Sequence, residues 1–374
     1  MRVSSRGLAV TAATAVVFTP LAGCAASSGA GGRAITVTAT GSSCEVAKTR
    51  LSAGTHTLAV TNEGSKVTEV YVYAPGDTVV TESENIGPGT TARVTVQLDQ
   101  GKYQVACKPG MRGHGIRQRI TVGGGTGRTP VDPRLDKAVE RYRAYVNRQV
   151  DHTIAKTSRF VAAVKEGDVA RAKDLYAPSR VGWERIEPVA ESFGDIDPKV
   201  DARARDVGSG STWTGWHRIE KALWREDSTK GMTRYSDRLA ADLKDLRHRI
   251  PKARITPTSM ANGAKELLDE VATSKITGEE ETYSHTDLVD MAANVAGAKK
   301  VYTLLRPVVA DKDPALAKTL DEEFEDMRAL LGRYETADGF VAYDTVGRDE
   351  RQRLSDAVNA LAQPLSRLAV TVVS

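Results

Sequence analysis

The chain has 374 residues, with 52 Lys and Arg against 48 Asp and Glu and a formal net charge of +4. At roughly 100–200 residues per domain, this length predicts two or three domains, and a hydrophobic share of 40% suffices for more than one core. The near-neutral charge lacks the basic footprint of nucleic-acid binding, and 5% aromatic residues argue against stacking platforms for bases or sugars.

Residues 1–23 have the features of a bacterial lipoprotein signal peptide. Arg2 and Arg6 precede an apolar run over residues 8–18, which is shorter than the roughly 20 residues of a membrane-spanning helix. The run leads to Leu-Ala-Gly-Cys at 21–24, which resembles a lipobox, so we expect lipidation of Cys24. The alternative is an ordinary secretory signal that happens to contain a cysteine.

The ten residues that follow the cleavage site predict a tether. Residues 25–33 are Ala, Ser and Gly with one Arg, a composition typical of flexible linkers. With Cys24 acylated, residues 24–33 would hold the protein on the outer face of the cell membrane.

Residues 34–123 contain short runs rich in Val, Thr and Tyr in which every second residue is apolar. We predict strands at Ile35–Thr40, Thr55–Thr61, Val67–Tyr73, Thr78–Glu82, Thr91–Leu98, Tyr103–Cys107 and Gln118–Val122. Short strands at a spacing of about 10 residues, separated by turn signals, predict a β-sandwich. The glycine-rich residues 124–131 predict a linker.

From residue 132 to 374 the pattern is helical. Asp132 followed by Pro133 is a typical helix start. We predict helices from 133 to 166 and at 168–176, 179–193, 212–225, 231–249, 258–276, 284–310, 313–334 and 347–372, with Pro178, Pro251, Pro257 and Gly339 in the breaks. Short connections between many helices predict an antiparallel bundle, so the fold class is a β-sandwich followed by an all-α domain.

Cys44 and Cys107 lie within the predicted sandwich. In an exported domain two cysteines most often form a disulfide, and the alternative is a pair of metal ligands or a redox pair. Glu69, in the third predicted strand, could join the thiols at an unconventional metal site, or it could be an ordinary solvated strand residue.

The end of the predicted sandwich resembles that of a cupredoxin. Residues 101–107 form a Gly-x-Tyr strand that ends in Cys107, and Met111 and His114 follow. A blue-copper site needs two His, one Cys and a weak axial Met. Here Met111 precedes His114, whereas most cupredoxins have the opposite order, so we expect the fold but not a blue-copper site.

His217 and Glu220 are three residues apart, on one face of a predicted helix. Such a pair can chelate a metal, but one pair is expected by chance in a chain with six His and 48 acidic residues. A second acidic pair, Glu184 and Glu187, lies on another predicted helix, and Asp201 follows in a polar connector. Oxygen ligands with one imidazole suit iron, manganese or zinc.

A further acidic run, Glu279 to Glu281, precedes His285 and Asp287 at the start of the helix predicted at 284–310. Pairs from different helices can converge on one cation inside a bundle. We therefore expect a metal site in the interior of the helical domain.

Several runs resemble the imelysin-like domain: residues 175–180 (Leu-Tyr-Ala-Pro-Ser-Arg), 184–188 (Glu-Arg-Ile-Glu-Pro), 215–223 and 283–288. Together with a cupredoxin-like domain in front, which carries Glu-Asn-Ile-Gly-Pro-Gly at 84–89, the order resembles the EfeO-type family of iron uptake components. The resemblance covers essentially the whole chain after the signal.

The resemblance implies a protein that binds iron (Fe2+ or Fe3+) outside the cytoplasm and delivers it to a membrane permease of the EfeU type, beside a haem peroxidase of the EfeB type. The signature ligands it implies are His217 and Glu220, with the companions Glu184, Glu187 and Asp201. It also implies a second site, for copper or zinc as well as iron, with candidates Cys44, Cys107 and Glu69.

Two enzymatic functions are the alternatives. Imelysin was first described as a peptidase, and a metal at His217 and Glu220 could activate water, but the sequence has no His-Glu-x-x-His motif. A copper-dependent electron-transfer or ferroxidase role would need redox-active copper in the sandwich. We expect a transport component and not an enzyme.

Overall fold

The computed structural model of the protein describes residues 34–124, 132–208 and 210–374. The predicted signal peptide, Cys24, the tether at 24–33 and nearly all of the predicted linker lie outside the described residues. Within them, no helix combines the length and the apolar character that a membrane crossing requires.

The first domain is a β-sandwich, as predicted. Its strands are β1 Ile35–Ala39, β2 Cys44–Val46, β3 Arg50–Ser52, β4 Gly54–Asn62, β5 Thr68–Ala74, β6 Thr78–Ile86, β7 Thr91–Leu98, β8 Gly101–Pro109 and β9 Ile116–Gly123. One sheet has the order β2-β1-β4-β7 and the other β3-β9-β8-β5-β6. The inward-facing residues, among them Val37, Leu58 and Val105, form one buried core between the sheets. The prediction missed β2 and β3, because three residues are too few to show an alternating pattern.

Cys44 of β2 and Cys107 of β8 form a disulfide that joins the two sheets. The metal-ligand interpretation of this pair is therefore corrected, since bonded sulfurs offer no thiolate to a cation. Glu69 cannot complete such a site either. Its neighbour Val70 pairs with Cys107, and successive side chains in a strand point to opposite faces, so Glu69 and Cys107 lie on opposite faces of the sheet.

The second domain is the helical bundle, as predicted. Its helices are α1 Pro133–Glu166, α2 Val169–Glu184, α3 Asp197–Val200, α4 Trp216–Arg225, α5 Thr233–Arg249, α6 Pro257–Thr273, α7 Asp287–Lys312, α8 Pro314–Leu331, α9 Arg348–Leu365 and α10 Leu368–Val373. Short 3-10 turns at Glu187–Phe193 and Lys275–Thr277 and a small hairpin (β10 Glu335–Thr336, β11 Gly339–Phe340) lie between them.

The predicted break at Pro178 is wrong, because Pro178 lies inside α2. A proline removes one helical hydrogen bond, but the residues that follow it are held by the bundle. Ser179 and Arg180 are fully buried, and the Thr157 hydroxyl of α1 donates to the Ser179 carbonyl (3.3 Å). Packing thus keeps one continuous helix up to Glu184, which matters for the site below.

The sandwich packs on α6 through specific polar contacts. The Asn262 amide donates to Thr81 Oγ1 (2.9 Å) and to the Thr95 carbonyl (2.7 Å). The Ser83 hydroxyl donates to Glu266 Oε1 (3.1 Å). These contacts hold α6 against β6 and β7, which are edge strands of the two sheets, and leave a cleft next to α6.

Loss of the disulfide should destabilise the sandwich. The bond closes a loop with a sequence separation of 63 residues, and the chain-entropy model assigns such a loop about 4 kcal/mol. We expect the Cys44→Ala/Cys107→Ala variant to lose about this free energy of unfolding in urea, with reduction of the wild type giving a similar loss. Alkylation of both thiols in the unreduced native protein would contradict the bond.

Candidate metal centre

His217 is held at the start of α4 by an unusual turn. Gly215 precedes the helix with a φ of 87°, and a Cβ at this position would lie 2.2 Å from the Val200 carbonyl oxygen. Only glycine fits there, and the turn places His217 and Glu220 on the inner face of α4. Both side chains are buried, and His217 Nδ1 lies 3.1 Å from Glu220 Oε2.

The second ring nitrogen of His217 points into a group of carboxylates. Nε2 lies 3.4 Å from Asp201 Oδ1 and 3.7 Å from Glu280 Oε1, yet it is buried without a hydrogen-bond partner in the described structure. A buried polar atom without a partner is costly. Imidazole nitrogen and two carboxylate oxygens at this spacing match the ligands of iron, manganese or zinc.

The five helical-domain residues predicted as ligands come together here. Three overlapping groups each offer ligand atoms within 4.8 Å of one another: Asp201, His217 and Glu280; His217, Glu220 and Glu281; and Glu184, Glu187 and Asp201. They come from the end of α2, the 3-10 turn after it, the end of α3, the start of α4 and the loop before α7. We call these seven residues the carboxylate cluster.

Two buried cations already lie within this cluster. Arg180 donates to Glu184 Oε1 (2.6 Å) and to Asp201, and its Nε lies 2.8 Å from Glu281 Oε1. Lys275 Nζ lies 2.8 Å from Glu187 Oε1 and 3.2 Å from Glu184 Oε2. In the group of Glu184, Glu187 and Asp201, the two glutamates thus hold an ammonium and Asp201 holds a guanidinium, whereas the groups around His217 keep a nitrogen without a partner.

Acidic groups outnumber fixed cations around the site. There are seven carboxylates and three fixed cations. The carboxylates are those of Glu184, Glu187, Asp201, Glu220, Glu280, Glu281 and Asp290, and the cations are Arg180, Lys275 and Arg203. Buried charges without partners are very costly. An additional cation, or protons, must therefore balance the cluster.

The pKa values show where protons bind when no metal does. Burial raises the pKa of Glu281 to about 7, although Arg180 opposes the shift. Burial likewise raises the pKa of Asp290 well above its ordinary value. Burial and Arg180 disfavour the imidazolium, but contacts with Asp201, Glu220 and Glu280 raise the pKa of His217 well above its ordinary value.

Asp201 behaves in the opposite way. Burial alone would raise its pKa, but Arg180 and then His217 hold it well below the ordinary value. Asp201 therefore stays ionised and belongs to two of the three groups. It is available to a metal without prior loss of a proton, as is Glu280, whose pKa burial alone would raise but Lys275 and Arg203 hold well below its ordinary value.

A cleft of about 830 Å³ between the sandwich and the bundle reaches the cluster. Glu187, Asp201 and Glu280 line it on the bundle side, and Glu69 and Glu84 line it on the sandwich side. Thirteen lining residues are acidic and five are Lys or Arg. A cation can thus approach the cluster along an acidic surface.

Several residues of the site were missed or misplaced by the sequence analysis. Glu280 and Glu281 belong to the acidic run noted there, but their spacing gave no reason to separate them from Glu279. Arg180 entered only as the last residue of the run at 175–180 and Lys275 had no signal, because a buried cation looks like a surface one in sequence. Asp287 does not face the imidazole of His217; it accepts a hydrogen bond from the Glu281 amide (3.1 Å) and so shapes the loop.

The family models match both domains. Residues 138–368 match the Imelysin family and residues 11–122 match the Cupredoxin-like domain. Proteins named iron uptake system component EfeO from Escherichia coli K12 and from Shigella flexneri are 38% identical over 340 residues, which is 89% of this chain and 90% of theirs.

A solved structure also shares part of the fold. The structure of an iron-regulated protein A precursor from Parabacteroides distasonis superposes with a TM-score of 0.51 at 14% identity, and covers 66% of this chain and 97% of its own. At this identity the likeness concerns the fold alone.

Metal binding should release protons. Glu281 has a pKa of about 7 and the pKa of His217 is raised well above its ordinary value, so protons on these two groups compete with a cation, which must displace them. We expect Mn2+ affinity to fall as the pH is lowered from about 8 to about 6. Calorimetry in two buffers of different ionisation enthalpy measures the release.

The matched control is Glu281→Gln, which has no proton to lose at this position and should release fewer protons. Equal binding enthalpies in both buffers would contradict the proposed displacement.

Proposed function

The chain belongs to the imelysin family, in the EfeO-type form with a cupredoxin-like domain in front, and we propose that it captures iron at the His217 cluster for an uptake system. The observation that carries this proposal is the buried, unpartnered Nε2 of His217 facing Asp201 and Glu280. Iron is the cargo, and the chain supplies the ligands.

The donor set supports reversible capture. His217, Asp201 and Glu280 would bind the ion directly, and Glu220 fixes the ring by accepting from Nδ1 (3.1 Å). Glu220 is itself held by the backbone amides of Tyr283 and Ser284 (2.8 and 2.7 Å). An outer partner of this kind orients the imidazole and strengthens the metal bond, while proton competition provides a route for release.

Delivery to a membrane permease is the second part of the proposal. The relatives are named components of an iron uptake system, which implies other components. We propose an EfeU-like permease as the acceptor and an EfeB-like haem peroxidase as a further partner. The acidic cleft supports this role, because a site that a cation reaches along a surface groove can also discharge along it.

We further propose that the protein acts outside the cytoplasm as a lipoprotein anchored at Cys24. This proposal rests on the sequence of residues 1–24. A lipid anchor would keep the carrier close to a permease.

The enzymatic alternatives have less support. The curated relatives are named for iron uptake, not for hydrolysis, although imelysin itself carries a peptidase family name. A blue-copper site in the sandwich would need a cysteine thiolate, and Cys107 is bonded to Cys44.

Removal of His217 should abolish tight binding. The His217→Ala/Glu220→Ala variant loses one ligand and the group that orients it, so we expect Fe2+ affinity to fall about 100-fold or more. Anaerobic chelator competition measures the affinity. The matched control is His248→Ala, which removes an exposed histidine of α5 and should bind iron like the wild type. Unchanged affinity in the double variant would exclude this site.

The Cys24→Ser variant tests the anchor. Without the thiol no diacylglyceryl group can be attached, so the exported protein should move from the membrane fraction to the soluble fraction. Fractionation followed by intact-mass measurement checks both the location and the lipid. Membrane retention of the variant would show that another segment or partner holds the protein.

A further inference from the structure

We propose that Arg180 sets the charge preference of the site: it is a fixed positive charge that weakens the binding of trivalent cations more than that of divalent ones. The inference rests on the proposed function, because it concerns the same carboxylate cluster around His217. Arg180 would thus determine selectivity from its position among the proposed ligands.

The geometry places Arg180 on the ligand atoms themselves. Four carboxylate oxygens face His217: Asp201 Oδ1 and Glu280 Oε1 on the Nε2 side, and Glu220 Oε2 and Glu281 Oε1 on the Nδ1 side. Arg180 approaches three of these four atoms: Nη1 contacts Asp201 Oδ1, Nη2 lies 3.8 Å from Glu280 Oε1 and Nε lies 2.8 Å from Glu281 Oε1. A cation held by these oxygens would have the guanidinium on the far side of the same atoms.

Arg180 cannot easily leave when a cation arrives. Its side chain is fully buried, and two further carboxylates hold it, Glu184 Oε1 at 2.6 Å and Asp290 Oδ2 at 3.1 Å. The rings of Tyr176 and Trp216 lie within 6.0 and 5.5 Å of the guanidinium carbon. These contacts do not involve the oxygens that face His217, so the positive charge stays in place.

The consequence follows from Coulomb's law. The repulsion between Arg180 and a bound ion grows with the charge of the ion, so a trivalent ion is opposed half again as strongly as a divalent one. Solvent does not screen the pair, since Arg180 has no exposed surface. Carboxylates bind a trivalent ion more strongly than a divalent one, and Arg180 reduces that difference. Ferrous iron therefore competes with ferric iron better than it would at the acidic ligands alone.

The experiment compares two ions that do not change oxidation state, Ga3+ and Mn2+. Apparent affinities are measured by chelator competition at one pH for the wild type, Arg180→Gln and Arg180→Lys. We expect the ratio of Ga3+ to Mn2+ affinity to rise at least about tenfold in Arg180→Gln, which removes the charge, and to stay within about threefold of wild type in Arg180→Lys, which keeps it.

Should Arg180→Gln fail to fold, Lys275→Gln tests the same effect of a fixed positive charge. Lys275 Nζ lies 3.8 Å from Glu280 Oε1 and, in the described structure, contacts neither Asp201 Oδ1 nor Glu281 Oε1. A rise in the ratio of Ga3+ to Mn2+ affinity that is smaller than tenfold supports the proposal, and an unchanged ratio overturns it.

An unchanged or lower ratio in the folded variant overturns the role of Arg180 while the proposed iron function stands. A wild type that binds neither ion overturns both. Arg306→Gln, which removes an exposed cation that pairs with Asp321 away from the cluster, should leave the ratio unchanged.

Discussion

The structure of the helical domain depends on an unbalanced charge in its interior. Seven carboxylates lie around His217, Arg180 and Lys275, with three fixed cations among them, and burial makes every uncompensated charge expensive. The protein can balance the excess by binding protons, which raises the pKa of Glu281 and Asp290, or by binding a metal. The same imbalance would make the proposed site selective for cations and sensitive to pH.

The scaffold is built to hold these groups in place. The segment after α2 carries Glu187, and two helices, α6 and α7, approach its backbone closely at glycine residues. A Cβ on Gly297 of α7 would lie 2.5 Å from the Arg185 carbonyl oxygen, and one on Gly263 of α6 would lie 1.7 Å from that of Pro188. The close approach of three backbones leaves Glu184 and Glu187 little conformational freedom. The entropy of ordering them is therefore lost on folding and not on metal binding.

Sequence analysis predicted the order of the domains, the long strands and most helices, because alternating and helical patterns persist over many residues. It also singled out His217, Glu220, Glu184, Glu187 and Asp201, which the structure brings together; their role as metal ligands stays a prediction. It missed Arg180 and Lys275 because burial is a property of tertiary packing, and no local pattern distinguishes a buried cation from a solvated one. The continuity of α2 through Pro178 was missed for the same reason, since the contacts that hold it are distant in sequence.

The cleft between the domains has a consequence for how this protein can change over evolution. Residues of the sandwich such as Glu69 and Glu84 line a cleft that leads to the proposed ligands, which belong entirely to the bundle. Selection on iron capture would therefore act on two structurally independent cores at once. If the sandwich were replaced by another domain of the same fold, the new domain would need the same acidic residues along the cleft. The two domains should therefore be inherited as a pair. Their facing surfaces should co-vary more strongly than their interiors.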